Sequence, residues 1–537
     1  MLDLRRHRHL SFIFRARGAS AIPAGLAGAL ATLTFLGVVS ANATVVATLL
    51  TAACVILAWN VLLIALARRR AQALTLEISL RRQHYVQACA QGSVLLYWGS
   101  YWRPVYDAAA LLAAQLIFAY AFDMLLAWSR RRTYTLGFGP FPVIFSINLF
   151  LWFKPDWFYL QLLMIAVGFA AKELIRWNRD GRTVHIFNPS SFPLGLFSLA
   201  LIVTGTTDFT RGQDIAISQF YPPHMHLLIF LVALPGQFLF GVASMTLSAV
   251  LTTYLFGLAY FAATGTYFFY DSYIPISVFL GMHLLFTDPS TSPRSELGRV
   301  IFGMLYGLST VVLYQSLGAA GVPTFYDKLL QVPILNLSAR LLDRASRIPW
   351  LEPFDPARIG PALTARRRHV AYLSAWAVVF ALMIATQGVG DRHPGQWLPF
   401  WARACRDGRP RACAYLANMQ SIFCQAGSGW ACNEAVILHE ERAAAASGSN
   451  RSDVSAPTAS FQQGCRLGFL PACRNAARVA NRSGPFERMP PTLDDYRILL
   501  RGGKGPITDR TPSALNARAC EQGWSVSCGE KASLIRD

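Results

Sequence analysis

Long apolar runs, separated by short polar segments rich in arginine, recur along the first 390 or so residues of the chain. About 20 apolar residues cross a bilayer as a helix. By that measure the runs predict thirteen membrane-spanning helices, at 20–39, 43–66, 85–100, 107–128, 138–153, 157–174, 190–205, 224–242, 245–265, 272–287, 298–317, 326–341 and 368–388. Beyond residue 389 the long runs stop and paired cysteines take over. Composition agrees with a polytopic membrane protein: of 537 residues, 53% are hydrophobic and only 15% charged.

The formal net charge is +20, and its placement changes the picture more than its size. Arginine clusters fall at 5–17, 68–70, 81–82, 130–132, 176–182, 294–299, 340–347 and 366–368. With thirteen spans and a cytoplasmic N-terminus, every cluster falls on the cytoplasmic side, as the positive-inside rule requires. Topology therefore accounts for the basic balance, with membrane lipid rather than nucleic acid as the partner. The expected location is the inner membrane of a bacterium, with everything after residue 389 in the periplasm. The basic start, the first apolar run and "SANA" (40–43) resemble a signal peptide. The length of both regions favours an uncleaved anchor.

Cysteine usage tests that topology. Cys54 and Cys89 lie in apolar spans, where a small buried residue suffices. The other eight form four pairs of one spacing: Cys405/Cys413, Cys424/Cys432, Cys465/Cys473 and Cys520/Cys528. Each reads C-x-x-G-x-x-x-[AS]-C. Glycine three residues after the first cysteine suits a left-handed helix stop, after which an antiparallel helix brings the second sulfur opposite the first. Zinc is the weaker reading, since its cysteine ligands usually have two to four residues between them and no histidine helps. Disulfides belong in an oxidising compartment, where the arginine count also places this tail.

Two polar motifs stand beside predicted spans. "HIFNPSSFPLG" (185–195) and "LFTDPSTSPRS" (285–295) share one order: apolar residues, Asn or Asp, Pro, Ser, then Ser or Thr. Asn or Asp is a favoured N-cap and Pro suits the first helical turn, so Asn188-Pro189 and Asp288-Pro289 each predict a helix start. Singly each is a cap; together they suggest an internal repeat whose helix N-termini converge on an anion. Asn336 and Asp343, two helical turns apart, share a face of the twelfth span. Asp123 sits at membrane depth beside Arg130–Arg132, where pairing with an arginine explains it as well as function does. His283 reads as a buried hydrogen-bonded histidine, and His224 with His226 as a weak metal pair, so no metal site is expected.

Residues from about 85 to 347 resemble the RnfD/NqrB family, membrane subunits of ion-translocating electron-transport complexes. The resemblance is carried by "HIFNPSSF" (185–192), "LLFTDPSTSPRSELGRVIFGMLYG" (284–307) and "YDKLLQVPILNLSARLLD" (326–343). The cysteine pattern is similar to SEL-one-like, tetratricopeptide-related repeats of the secreted, cysteine-rich type. Together they imply an all-α polytopic membrane protein with a ten-helix duplicated core, plus a disulfide-stapled helical periplasmic domain. The expected divisions are two N-terminal spans (1–84), the core (85–347), a linker with the last span (348–389) and the repeat domain (390–537).

The family's chemistry is one-electron transfer through flavin, so the resemblance implies FMN or riboflavin, held near Asn188, Pro189, Ser190, Ser191, Thr287, Asp288, Ser290, Thr291 and Asn336. Covalent FMN would need a threonine in a Ser-Gly-Ala-Thr-like stretch after the seventh span. The segment there is "VTGTTDFTRGQDIAISQFYPP" (203–223), without that stretch. Thr206 or Thr207 would be the attachment residue, with ordinary loop threonines as the alternative. No haem, iron–sulfur or nicotinamide motif is present, so electrons would come from a partner. The resulting expectation is a non-autonomous subunit of a redox-driven, translocase-type complex, with other membrane subunits and a periplasmic protein as partners. Two further readings are a non-redox transporter or channel on the same scaffold, and a membrane-anchored assembly or interaction protein.

Overall fold

The computed structural model describes residues 10–12, 21–179, 181–359, 364–447, 455–481, 485–500 and 511–528. A helix occupies each of the thirteen segments read as spans: α1 (Ala21–Leu33), α2 (Ala43–Arg69), α3 (Arg82–Tyr101), α4 (Ala109–Arg130), α5 (Pro140–Phe150), α6 (Phe158–Leu174), α7 (Ser191–Thr204), α8 (Met225–Phe240), α9 (Ala243–Thr264), α10 (Ile276–Leu284), α11 (Glu296–Ala319), α12 (Gln331–Ala345) and α13 (Ala365–Ala385). Among the described residues six helices are long and apolar enough to cross a membrane: α2, α4, α6 with the turn before it, α9, α11 and α13. Four more, α1, α5, α7 and α8, are apolar but shorter.

The ends follow local chemistry. Asn42 caps α2 by accepting from Val45 N at 3.0 Å, and Arg68 and Arg69 meet the negative end of its dipole. Outward side chains such as Val61 (63% exposed) and Val203 (77%) leave apolar surface that lipid would cover. Cys54 and Cys89 belong to that outward surface: both are exposed, not buried as their apolar surroundings in sequence suggested. On α2 the buried stripe runs through Leu49, Ala53 and Ile56, and Cys54 stands one position off it. Helix α12 is two-faced. Val332, Leu335, Asn336, Ala339 and Leu342 are buried, whereas Ile334, Leu337 and Leu341 face outward.

The described residues are not all helical. Strands β1 (Leu10–Phe12), β2 (Thr75–Ile78) and β3 (Thr133–Leu136) form one small sheet, and β4 (Arg176–Arg179) pairs with β5 (Arg182–His185). Between β2 and β3 run α3 and α4. Two successive long helices return the chain to the same end travelling in the same sense, so β2 and β3 pair in parallel. Between β4 and β5, Gly181 takes the left-handed backbone (φ 74°) that a tight hairpin needs. These short strands at helix ends escape a reading built on long apolar runs.

The chain divides into two units. The first comprises the described residues up to Thr253 together with Ile276–Leu382. The second comprises Tyr254–Pro275 and the described residues from Met383 onward. In the second unit α14 (Leu398–Arg406), α15 (Ala412–Gln425), α16 (Gly429–Ser447), α17 (Ser455–Arg466), α18 (Leu470–Asn481), α19 (Leu493–Leu499) and α20 (Pro512–Glu521) come in succession. Its main core gathers Leu398, Trp401, Leu416, Met419 and Cys432 around Tyr267, which comes from the 254–275 segment.

All four cysteine pairs are disulfides in the expected pairing: Cys405–Cys413, Cys424–Cys432, Cys465–Cys473 and Cys520–Cys528. Their Cα–Cα distances are 4.6, 4.6, 4.5 and 4.8 Å in that order. The bends beneath them are one structure used four times. Gly408, Gly427, Gly468 and Gly523 all have positive φ (67°, 103°, 85° and 90°). At each bend the glycine N–H donates to the first cysteine's carbonyl, and the next N–H to the carbonyl five residues back, as in Arg409 N to Ala404 O at 2.9 Å. That is the Schellman arrangement.

The staples differ in their surroundings. Cys424 and Cys432 are buried, whereas Cys473, in α18, and Cys528 are half-buried. The antiparallel helix expected after each bend is present as α15, α16 and α18 for the first three pairs. After the fourth bend only the helical turn 525–528, ending at Cys528, falls among the described residues. Since Cys413 opens α15 and Cys424 closes it, the first two disulfides staple consecutive bends on either end of one helix.

Candidate functional site

The two Asn/Asp-Pro motifs build the same turn. Asn188 Oδ1 accepts from Ser190 N at 2.9 Å and Ser190 Oγ at 2.8 Å. Asp288 Oδ1 accepts from Ser290 N at 2.9 Å and Ser290 Oγ at 2.8 Å. Each carboxamide or carboxylate oxygen thus replaces a backbone acceptor in an Asx turn, the local alternative that these residue types offer.

Beyond the turns the two segments diverge. Asn188 O accepts from Phe192 N at 3.0 Å, and its Oδ1 also takes Ser191 N at 3.2 Å, so Asn188 does cap α7. The Asp288 turn also closes, with Ser292 N donating to Asp288 O at 3.2 Å, but no helix continues from it. Helix α11 begins only at Glu296, capped by Ser295 Oγ, which accepts from Gly298 N. The expectation of a second helix start at Asp288-Pro289 therefore fails. Proline is not the cause, since Pro193 stands at the same offset within α7. Instead Asp343 Oδ1 takes the N–H groups of Arg294 and Ser295, which a continuing helix would turn back on Ser290 and Thr291.

The motifs meet through Asn336. Its Oδ1 accepts from Asn188 N at 3.1 Å and its Nδ2 donates to Thr291 O at 3.3 Å. Asn188 Nδ2 adds a direct link, donating to Leu285 O at 3.1 Å. His185 Nε2 lies 3.5 Å from Asp288 Oδ2. Burial opposes ionisation of Asp288, but the His185 ring and the Ser290 hydrogen bonds outweigh it and hold the carboxyl below its ordinary value. Two turns along α12, Asp343 Oδ1 accepts from Arg294 N (2.8 Å), Ser295 N (3.0 Å) and Ser295 Oγ (3.0 Å). Arg179 pairs with Asp343 and donates to Ser292 O at 2.9 Å. Glycine is required at position 168 of α6, because a Cβ there would overlap Pro189 O.

The remaining candidates divide. Ser190, Ser191, Ser290 and Thr291 belong to the two turns, with Thr291 Oγ1 donating to Asp288 O at 3.4 Å. Thr287 points elsewhere: its hydroxyl donates to His283 O at 2.8 Å and it lines a small cleft with Gln237 and His283. Thr206 and Thr207 stand beyond the far end of α7, whose 14 residues span about 20 Å from the Asn188 end. There Thr206 Oγ1 contacts Thr204 Oγ1 at 2.7 Å, and Thr207 starts a short turn. Asp123 pairs with Lys172 at 3.4 Å rather than with a neighbouring arginine, while Arg131 takes Glu173.

The polar groups of the two turns are spent on one another. The N–H groups of Ser190, Ser191 and Phe192 at the start of α7 all go to Asn188. A flavin phosphate at that end would have to displace them, so Asn188 and Asp288 do not fit a phosphate. The cluster leaves over Ser191 Oγ and Ser292 Oγ, both buried and without a hydrogen-bond partner among the described residues. Sequence reasoning missed His185, Arg179 and Gln237. The first directly precedes the motif, and the second lies in a basic cluster already explained by topology. Compared with family models, curated proteins and solved structures, the chain matches none.

Proposed function

We propose that the chain is an RnfD/NqrB-like membrane subunit that takes part in flavin-linked transmembrane electron transfer, with its C-terminal unit docking a periplasmic partner. The observation that carries this reading is the repeated Asx-Pro-Ser turn, equal in geometry at Asn188 and Asp288 and joined through Asn336. Those are the motifs through which the sequence resembles the family. The turns act as a joint within the membrane core, fixing helices in place; the flavin of the complex is held away from their side-chain oxygens.

The orientation has support of its own. The 254–275 segment packs in the same unit as the cysteine-rich helices, and the thirteen-span topology puts both on the periplasmic side. Hairpins of helices stapled by disulfides present surfaces for proteins more readily than they build reactive sites, which makes a membrane-anchored interaction protein the second reading. Affinity purification from native membranes in mild detergent, followed by mass spectrometry, separates the two. The proposed function expects a flavoprotein or iron–sulfur subunit to co-purify. Recovery of periplasmic proteins alone would favour the second reading.

A further inference from the structure

Away from the turns, α3, α8 and α10 enclose a small cleft whose lining includes Gln87, Gln237, Phe240, His283 and Thr287. Gln237 and His283 are each 2% exposed. Neither Gln237 amide atom, nor His283 Nε2, has a hydrogen-bond partner among the described residues. The histidine's other nitrogen fixes its chemistry. His283 Nδ1 lies 2.6 Å from Phe279 O, and a carbonyl only accepts, so Nδ1 carries the proton and Nε2 presents a lone pair. The cleft therefore offers a fixed acceptor at His283 and a donor with an acceptor at Gln237. It is too small for an organic ring and large enough for a water molecule. Its polar lining is uncharged, so nothing there compensates an ion.

We propose that this cleft binds one ordered water molecule, which donates to His283 Nε2 and makes its remaining hydrogen bonds with the Gln237 amide. The water ties α8 to α10 within the helix bundle, where a polar group left unpaired is costly. It also hydrates the residues just before the Asp288 turn, since Thr287 forms part of the same lining.

X-ray hydroxyl-radical footprinting of the full chain in lipid nanodiscs, run in heavy-oxygen water, tests the site. Radicals made from a bound water label its neighbours even when bulk solvent cannot reach them. His283 should take up heavy oxygen several-fold faster than Phe279, which is equally buried one turn earlier and does not line the cleft. The Gln237→Met variant should lose that labelling. Labelling of His283 no faster than that of Phe279 would overturn the proposal, as would labelling unchanged in a folded Gln237→Met. If that variant does not fold, the comparison within the unaltered chain still decides.

Discussion

Replacing Asn336 by alanine removes the one side chain among the described residues that bonds both Asx turns. Its loss leaves Asn188 N–H and Thr291 C=O without the partners they have at 3.1 and 3.3 Å, and both residues are buried. Each buried backbone group left unsatisfied costs about 1–3 kcal/mol, so the pair predicts a loss of about 2–6 kcal/mol. Asn336→Asp should be no better. It keeps an acceptor for Asn188 N–H but turns an oxygen toward the Thr291 carbonyl. Equilibrium unfolding by steric trapping in bicelles measures the stability, and hydrogen–deuterium exchange locates the damage. Exchange should rise in 188–192 and in 288–292 together, because one side chain holds both. A loss within about 0.5 kcal/mol, the range of ordinary surface substitutions, would refute the joint. So would faster exchange confined to one loop.

Other perturbations act on the same contacts and on the disulfide bends. Gly168→Ala drives a methyl into Pro189 O and should destabilise by about 1–3 kcal/mol, read as a lower Tm. Asp288 is held below its ordinary carboxyl value, so its ionised form contributes stability above the ordinary carboxylate range. That contribution fades as pH falls through the lowered value. Asp288→Asn should flatten this acid limb of a Tm-against-pH curve, and an unchanged limb would count against the His185 and Ser290 contacts. Gly408→Ala, at φ 67° with open space around the new methyl, should cost about 1–2 kcal/mol from backbone conformation alone. Reporter fusions after residue 537 and near residue 180 should report periplasm and cytoplasm respectively; the reverse at either place breaks the thirteen-span topology.

The parts of this chain that were legible in sequence are those set by local chemistry. The C-x-x-G-x-x-x-[AS]-C repeat specifies a left-handed glycine, a Schellman stop and a sulfur pair within nine residues, and all four copies, from Cys405–Cys413 to Cys520–Cys528, fold that way. Thirteen apolar runs each become a helix for a similar reason. Which face of a run turns inward was not legible at Cys54, because an all-round apolar helix carries little periodic signal, nor at Cys89, because α3 buries polar Gln91 and leaves Leu96 outside. Asn336 and Asp343 could be placed on one face of α12, but not matched to partners, because Asn188 and Thr291 lie 148 and 45 residues away in the chain. Asp288-Pro289 misled because the same Asx turn can open a helix or close on itself. A distant residue decides between them: Asp343 takes the N–H groups of Arg294 and Ser295, whereas Pro193, at the same offset from Asn188 as Pro293 from Asp288, is carried inside α7. Gln237 carried no signal at all: one amide within an apolar run becomes conspicuous only when the fold leaves it without a partner.

The central claim, participation in flavin-linked electron transfer, is tested most directly by the visible spectrum of the complex isolated with this chain from native membranes. Participation predicts flavin absorption that bleaches on reduction and returns on oxidation, and that disappears from preparations in which the chain's partner subunits are stripped away together with their cofactors. A colourless complex, unchanged by reductant while the chain remains folded with its four disulfides intact, would contradict it.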